Sequence, residues 1–266
     1  MWEEKYIGTI EEILSRGTSI HPSRGNALQL IAHQLTLDDP RDRILFNAIR
    51  SWNLAQALGH FLWMIAGRSD LRSIQFYNKH AANFSSDGEK LIGAYGPRMA
   101  GTGTRDQINY VVNLLQERPD TRRAVITIYS PDLDHHDLKD EVPCAMDIQF
   151  ISMDNRLHAI SHMRSQEALF MMPYDIFFFT LLHEYIAARA DLRCGSYTHF
   201  CNSIHIYEKD TDFANAVKRN GVETLRMPIM PIVSAKDSLA SLLAIEEEIR
   251  TEATFKKKVD VPSILE

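Results

Sequence analysis

Apolar and polar positions along this chain recur with two periods, and each period predicts elements in turn. A helical stripe covers Glu4–Leu14, and strand-type alternation covers Ala27–Thr36 beyond a basic loop, Ser23-Arg24-Gly25-Asn26. Leu54, Leu58, Phe61, Leu62 and Ile65 form a second helical stripe within Leu45–Ala66, closed by Gly67. Residues 70–101 follow neither period and predict loop, with a turn at Ser85-Ser86-Asp87-Gly88 and a rigid corner at Ala94-Tyr95-Gly96-Pro97-Arg98. Asp106–Glu117 reads as a helix ended by Pro119, and Arg122-Arg123 opens a strand over Ala124–Tyr129. Adjacent arginines at a strand start point to opposite faces, which leaves one of them to reach a partner.

Strands over Met146–Ile151 and Leu157–Met163 flank the turn Asp154-Asn155. Pro173 opens a helix reaching Ala190 whose middle, Ile176–Leu182, is apolar nearly all round and therefore buried. Asp175, His183 and Glu184 interrupt it, so it does not read as a membrane span. Asp175 in its first turn is either a capping group or a hook for a ligand. Ser196–Tyr207 is a further strand, with His205 and Tyr207 on one face by their spacing of two. A helix after Glu208, an extended Met227-Pro228-Ile229-Met230-Pro231 segment, a polar helix over Ser238–Arg250 and a charged tail complete the chain. With no internal repeat or low-complexity linker, the pattern predicts one domain over 1–266.

Composition narrows the function. The 266 residues are 45% hydrophobic, enough for a sizeable core, and the net charge of −6 argues against a general nucleic-acid or membrane-surface binder. Local arginines can still hold a small anion. Cys144, Cys194 and Cys201 form neither an even disulfide framework nor a zinc pattern. The opening MWEEKYIGTI lacks a basic-then-apolar leader, so the expected setting is cytoplasmic and reducing. Asp132-Leu133-Asp134-His135-His136-Asp137 reads as a polar loop rather than a metal centre, because adjacent histidines rarely converge on one ion.

Cys144 is the chemical focus. Pro143 fixes the backbone before it and a strand follows, which sets the thiol at the mouth of that strand. A thiol attacks as its thiolate, and the guanidinium of Arg164 is the candidate to favour that form. His60 lies beside the second helical stripe, where a core-packed histidine is the plain reading.

Taken in order from about Arg24 to Tyr207, these segments resemble thymidylate synthase. Pro143-Cys144 resembles the family's catalytic pair, Gln149-Phe150 its Gln-Phe, Arg164-Ser165 its Arg-Ser, His205-Ile206-Tyr207 its His-x-Tyr, and Arg122-Arg123 its paired arginines. The resemblance implies an α/β (α+β) sandwich, with a large mixed sheet at a homodimer interface and helices on the other face. It further implies that Cys144 adds to carbon 6 of a pyrimidine nucleotide, making carbon 5 attack the one-carbon unit of 5,10-methylenetetrahydrofolate. Arg24, Arg164, Ser165 and a neighbour's Arg122 and Arg123 would clamp the phosphate, while Gln149 joins the nucleotide site and His205 and Tyr207 hold the sugar 3′-hydroxyl. Tyr95 would help move the proton from carbon 5. Glu167 takes the place of the acidic residue that holds the pterin, and Arg50 that of a lysine that meets the folate tail.

The departures carry the finer reading. Where the family has asparagine in Val-Pro-Phe-Asn, this chain has Asp175 in Met172-Pro173-Tyr174-Asp175. An ionised carboxylate only accepts, which suits the amine of cytosine rather than the oxygen of uracil. That pattern resembles the deoxycytidylate hydroxymethylases and their relatives acting on CMP. Ala145 replaces the histidine after the cysteine, Met171 a glycine near the folate, and His60 the glutamate that organises proton transfer, a catalytic place where a histidine could serve as the relay at neutral pH; the family's closing segment is not recognisable after Arg226, and the chain diverges from about residue 227. These changes favour water over hydride as the last nucleophile, hence (deoxy)cytidylate 5-hydroxymethylation over methylation. The alternatives are an atypical thymidylate synthase acting on dUMP, and a nucleotide-binding homologue without catalysis. A zinc deaminase is excluded because Pro143-Cys144-Ala145-Met146-Asp147 lacks the second cysteine. The choice between ribose and deoxyribose stays open.

Overall fold

A computed structural model of the chain describes residues 1–101, 106–135, 142–220, 225–231 and 235–251. Seven strands make one sheet: β1 (Thr18–Ile20), β2 (Ala27–Leu37), β3 (Val125–Thr127), β4 (Ala145–Met153), β5 (Arg156–Met163), β6 (Gln166–Glu167) and β7 (Arg193–Tyr207). Their order is β1-β2-β7-β5-β4-β3, with β6 also pairing β7. β5 and β6 lie parallel to β7 and the remaining described pairings are antiparallel, so the sheet is mixed.

The β4–β5 hairpin turns on Asp154 and Asn155, both left-handed at φ 52° and 58°, as a primed two-residue turn requires. β2 carries a left-handed residue too, Ala32 at φ 54°, where its pairing with β7 skips from Ile31↔Ser203 to His33↔Cys201. Across that irregularity the buried face of β7 changes parity: Tyr197, His199 and Cys201 are buried before it, Ile204 and Ile206 after it.

Nine α-helices are described: α1 (Trp2–Arg16), α2 (Leu54–Ile65), α3 (Leu71–Tyr77), α4 (Gly96–Met99), α5 (Gln107–Glu117), α6 (Pro131–Asp134), α7 (Met172–Arg189), α8 (Thr211–Lys218) and α9 (Ala235–Thr251). α7 packs on β5 and β7 and is enclosed by α2, α5 and α9, which explains why Ile176–Leu182 is apolar on every side. Phe177, Phe178 and Phe179 are all buried there, each stabilising the core by about 1.5–3 kcal/mol. Among the described residues no helix is long and apolar enough to cross a membrane.

Three expectations are corrected. The second helix begins at Leu54 and not near Leu45, because Asn53 caps it by accepting from the Gln56 N–H at 3.0 Å. Residues 70–101 are not all loop: Asp70 caps α3 by accepting from the Ser73 N–H at 2.9 Å, and a 3₁₀ turn spans Lys79–Phe84. α3 seats Tyr77 against Gly59 of α2, where a Cβ would lie 2.5 Å from the ring, so the apolar stripe of α2 includes a glycine for packing. β7 also starts at Arg193, ahead of the expected Ser196.

Candidate active site

Cys144 stands one residue before β4, after the buried Pro143. The Arg164 N–H donates to the Cys144 carbonyl at 2.8 Å, and its guanidinium closes the same loop: Nε donates to the Pro143 carbonyl and Nη2 to the Val142 carbonyl, each at 2.9 Å. Cys144 is reachable from solvent, yet the atoms packed around its sulfur make burial the largest influence on the thiol. Burial pushes the thiol above its usual value; Arg164 and Arg24 pull it down and Asp175 pushes it further up. The guanidinium of Arg164 thus acts toward the thiolate, as expected, and burial outweighs it.

Tyr95 leads into α4 and stacks on Phe179, with ring centres 6.2 Å apart. Burial holds its hydroxyl well above the usual phenol range, Asp175 and Cys144 add to this, and the Ala145 N–H, donating toward the hydroxyl, opposes it. The tyrosine is thus a neutral hydroxyl beside the cysteine loop. Its corner is fixed by Arg98, whose two terminal nitrogens fork onto the Asp134 carboxylate at 2.6 and 2.7 Å while also donating to the Ile128 and Ile92 carbonyls. Asp134 is therefore a structural partner, whereas His136 and Asp137 of the same stretch lie outside the described residues. Among the described residues no group of His, Cys, Asp or Glu could hold a metal ion.

Asp175 lies in the first turn of α7, where Pro173 supplies the helix start. It does not cap the helix. Its Oδ2 accepts from Gln166 Nε2 at 2.9 Å, and its carboxyl is pushed up to about 7, mainly by burial and further by Glu167, with the Gln166 hydrogen bond opposing. Next to it, Tyr174 sits between Trp52 and His60, each with ring centres 5.9 Å away. Burial lowers His60 to about 4, so the ring is neutral, and both His60 Nε2 and Trp52 Nε1 are buried without a partner among the described residues.

Glu167 and Arg50 hold the chain that leads into α7. Glu167 accepts from the N–H groups of Leu169, Phe170 and Met171 at 2.8, 2.7 and 2.9 Å, and burial raises its carboxyl. Arg50 donates to the Leu169 and Phe170 carbonyls at 2.8 and 2.9 Å and lies over the Phe170 ring. The Arg50 side chain, expected to reach toward a folate tail, is 9% exposed and turned onto backbone. Tyr6 of α1 adds a third tie, donating to the Leu169 carbonyl at 2.7 Å. Met171 is exposed at the helix start.

At the far end of β7, His205 meets Tyr207 edge-on at 5.1 Å, and burial lowers the histidine. Arg24 and Cys144 both act on the Tyr207 hydroxyl, which places the loop arginine, the tyrosine and the thiol in one electrostatic neighbourhood. Arg24 lies over the Phe84 ring at 4.6 Å, and Ser165 is half-buried between Arg164 and β6. One expected site residue lies apart from the cluster, and the two arginines expected to serve a neighbour lie outside it as well. Gln149 is paired with Ile160 on the sheet face away from α7, and its amide donates to the Arg122 carbonyl at 3.0 Å, so it is not part of the cysteine cluster. Arg122 and Arg123 are exposed at the entry to β3. A groove lined by Arg41, Arg156, Arg193 and Cys194 lies at the opposite end of β5 and β7 from the cluster.

The protein thus gathers Cys144, Tyr95, Asp175, Arg164, Arg24 and Tyr207 at one end of a mixed sheet. Residues 4–248 match the model of the thymidylate synthase family. The chain belongs to the thymidylate synthase family. It is 30% identical over 172 residues to the deoxyuridylate hydroxymethyltransferase of Pseudomonas phage M6, covering 64% of this chain and 49% of that protein. Against the deoxyuridylate hydroxymethyltransferase of Bacillus phage SP01 it is 27% identical over 218 residues, 77% of this chain and 57% of the other. The thymidylate synthase of Symbiobacterium thermophilum is 30% identical over 189 residues, 64% of this chain and 62% of that protein. The chain spans about half the length of the phage relatives it matches.

Gln166 and His199 are the site-building residues that sequence reasoning missed, and Arg98 and Asp134 were named without being paired. Gln166 sits between two residues it did single out, and Tyr197 and His199 share a spacing of two on one strand, a signal open to the same argument that paired His205 with Tyr207.

Proposed function

We propose that this protein is a pyrimidine nucleoside monophosphate C5 one-carbon transferase, and specifically a (deoxy)cytidylate 5-hydroxymethylase. The observation that carries the reading is Asp175: a carboxyl group replaces the base-reading asparagine and acts electrostatically on both Cys144 and Tyr95. The balanced reaction is cytidylate plus methylenetetrahydrofolate plus water giving 5-hydroxymethylcytidylate and tetrahydrofolate. Bound, the folate would supply the one-carbon unit at the oxidation level of formaldehyde. The orphaned ring nitrogens of Trp52 and His60 beside Tyr174 suit a flat polar heterocycle, and Glu167 and Met171 flank the same helix start.

The chain's own residues supply the rest. Cys144 Sγ forms a bond to ring carbon 6, and electrons move toward the ring nitrogen, where Asp175, poised near 7, delivers a proton. Carbon 5 would then attack the one-carbon unit, Tyr95 with water would take the carbon 5 proton, and the bond from the one-carbon unit to the folate nitrogen would break as that nitrogen gains the proton, releasing tetrahydrofolate and leaving a methylene on carbon 5. Water would add to that methylene, and the bond from sulfur to carbon 6 would break as Asp175 takes back the ring-nitrogen proton and the thiol is restored. Arg24 and Arg164, with Arg122 and Arg123 of a second copy in a homodimer, would hold the phosphate, and His205 and Tyr207 the sugar.

A second reading has its own support. A carboxyl group raised to about 7 is partly protonated at neutral pH and can donate to the uracil oxygen, and the phage relatives are named for deoxyuridylate. Tritium release from carbon 5 of CMP, dCMP and dUMP with methylenetetrahydrofolate, followed by product mass, separates the readings. Release from a cytosine nucleotide with a hydroxymethyl gain is the expected result. Turnover of dUMP alone would sink the cytidylate reading, and a methyl gain would redirect the last step to hydride.

A further inference from the structure

Behind Asp175 runs a buried chain of polar side chains that the chemistry above does not use. Besides its bond to Asp175, Gln166 Nε2 donates to the Glu167 carbonyl at 3.2 Å. A backbone carbonyl only accepts, so this contact fixes which end of the amide carries nitrogen. Gln166 Oε1 therefore faces His199 Nε2, 3.0 Å away, and that nitrogen bears hydrogen. Burial drives His199 down to about 3, so the ring is neutral and its Nδ1 accepts. Nδ1 lies 2.8 Å from the Tyr197 hydroxyl and 3.0 Å from Ser161 Oγ, and these two oxygens are 2.7 Å apart. One hydroxyl donates to Nδ1 and the other to its neighbour, so the donors run in one direction, toward Asp175. Ser161, Gln166, Tyr197 and His199 are at most 2% exposed, which leaves no bulk water to rearrange them.

We infer that Gln166, oriented by His199, fixes Oδ2 as the accepting oxygen of Asp175, leaves Oδ1 to carry the proton, and so sets which pyrimidine edge the site takes. Among the described residues no group donates to Oδ1. The inference rests on the pyrimidine nucleotide reading above. Cytosine presents a ring-nitrogen acceptor beside an amine donor; uracil presents an N–H donor beside an oxygen acceptor. A carboxyl group protonated on one fixed oxygen matches one of these orders, while a carboxyl free to move its proton matches both. With Oδ1 at the ring nitrogen and Oδ2 at the exocyclic group, cytosine fits. Uracil would need the proton on Oδ2, against the Gln166 N–H. The titratable groups acting with Asp175 are Glu167 on β6, Cys144 before β4, Tyr95 before α4, and Tyr197 and Cys201 on β7.

The test is calorimetric binding of CMP, dCMP, UMP and dUMP to the full chain between about pH 5.5 and 8.5, in wild type, Gln166→Met, His199→Phe and His199→Gln. Gln166→Met and His199→Phe should lower the cytosine-to-uracil affinity ratio about tenfold or more. The pH midpoint of binding should rise in Gln166→Met, because the lost donor favoured the ionised carboxyl, and in His199→Phe as the amide, no longer held by the ring, turns from the carboxyl. His199→Gln, whose amide can donate to Gln166, should restore ratio and midpoint, which a purely structural role would not require. Should His199→Phe fail to fold, Gln166→Met decides alone. A folded Gln166→Met protein with the wild-type ratio and midpoint overturns the inference. A wild-type preference for uracil that collapses in Gln166→Met overturns the cytidylate reading and supports the oxygen assignment. Absence of nucleotide binding by wild type overturns both.

Discussion

Arg164 donates from Nε to the Pro143 carbonyl at 2.9 Å, so the residue that acts electrostatically on Cys144 is also the clasp of the loop that presents it. One substitution therefore changes both the charge on the thiol and its position. In Arg164→Met the thiol should rise further above its usual value, because the pull of the guanidinium is lost while burial remains. Alkylation of Cys144 by iodoacetamide should be slower than in wild type at every pH below the wild-type midpoint, about tenfold for each unit the thiol shifts. The label is read at one position by mass, since burial pushes Cys194 up to about 12 and Cys201 higher still. Equal alkylation rates in the two proteins would remove Arg164 from the account of the thiol.

The Tyr95 corner makes a separable prediction. Arg98 and Asp134 form a buried forked pair, with side chains 6% and 0% exposed. Removing one partner leaves an unpaired buried charge, so Asp134→Asn and Arg98→Met should each cost about 3–5 kcal/mol in urea unfolding. The double variant should cost less than the sum, the signature of residues acting as a pair. Additive costs would show that the fork does not couple α4 to α6.

Much of the architecture was legible because hydrophobic patterns survive in long elements: β4 and β5 keep a period of two, α2 and α5 a period of 3.6, and α7 an apolar run that marks it as buried. Short elements escaped. α3 and α4 span seven and four residues, too few for a helical period to show, and their ends are decided by Asp70 and by the Arg98 fork. The site was legible where chemistry is local, as at Pro143-Cys144 and in the first turn of α7. It was not legible where a residue named for a ligand is turned onto backbone, as with Arg50 and Gln149, because sequence gives type and order but not the direction of a side chain. The Gln166–His199 contact joins residues 33 positions apart and needs the parallel pairing of β6 with β7, which no local pattern announces.

Glu167 tests the idea that the approach to α7 is held by one carboxylate. Three successive N–H groups donate to its two oxygens. In Glu167→Gln one oxygen becomes an NH₂ group facing N–H donors, which should cost about 1–3 kcal/mol. Hydrogen exchange at Leu169, Phe170 and Met171 should quicken together, ahead of the rest of the chain. Unchanged protection at all three amides would mean that Arg50 and Tyr6, bound to the neighbouring carbonyls, hold this segment without the glutamate.

Asp175 makes the last prediction, and its sign follows from burial. The folded carboxyl titrates at about 7 against a usual value of 3.8, so the native protein binds the proton more tightly than the unfolded chain. That proton's contribution is fully present below about pH 4 and is lost as pH rises through about 7. The loss is of the order of 4 kcal/mol if the whole shift is expressed. Asp175→Asn carries no titrating group, so its stability relative to wild type should climb between pH 4 and 7 and then level off, as followed by urea unfolding at each pH. The same substitution restores an amide that donates to the uracil oxygen and accepts from its N–H. It should therefore weaken dCMP binding and strengthen dUMP binding, moving the ratio about a hundredfold in total for two mispaired hydrogen bonds exchanged. A stability difference flat across this pH range would show that the carboxyl is not held protonated by burial. An unmoved base preference would show that Asp175 does not read the base.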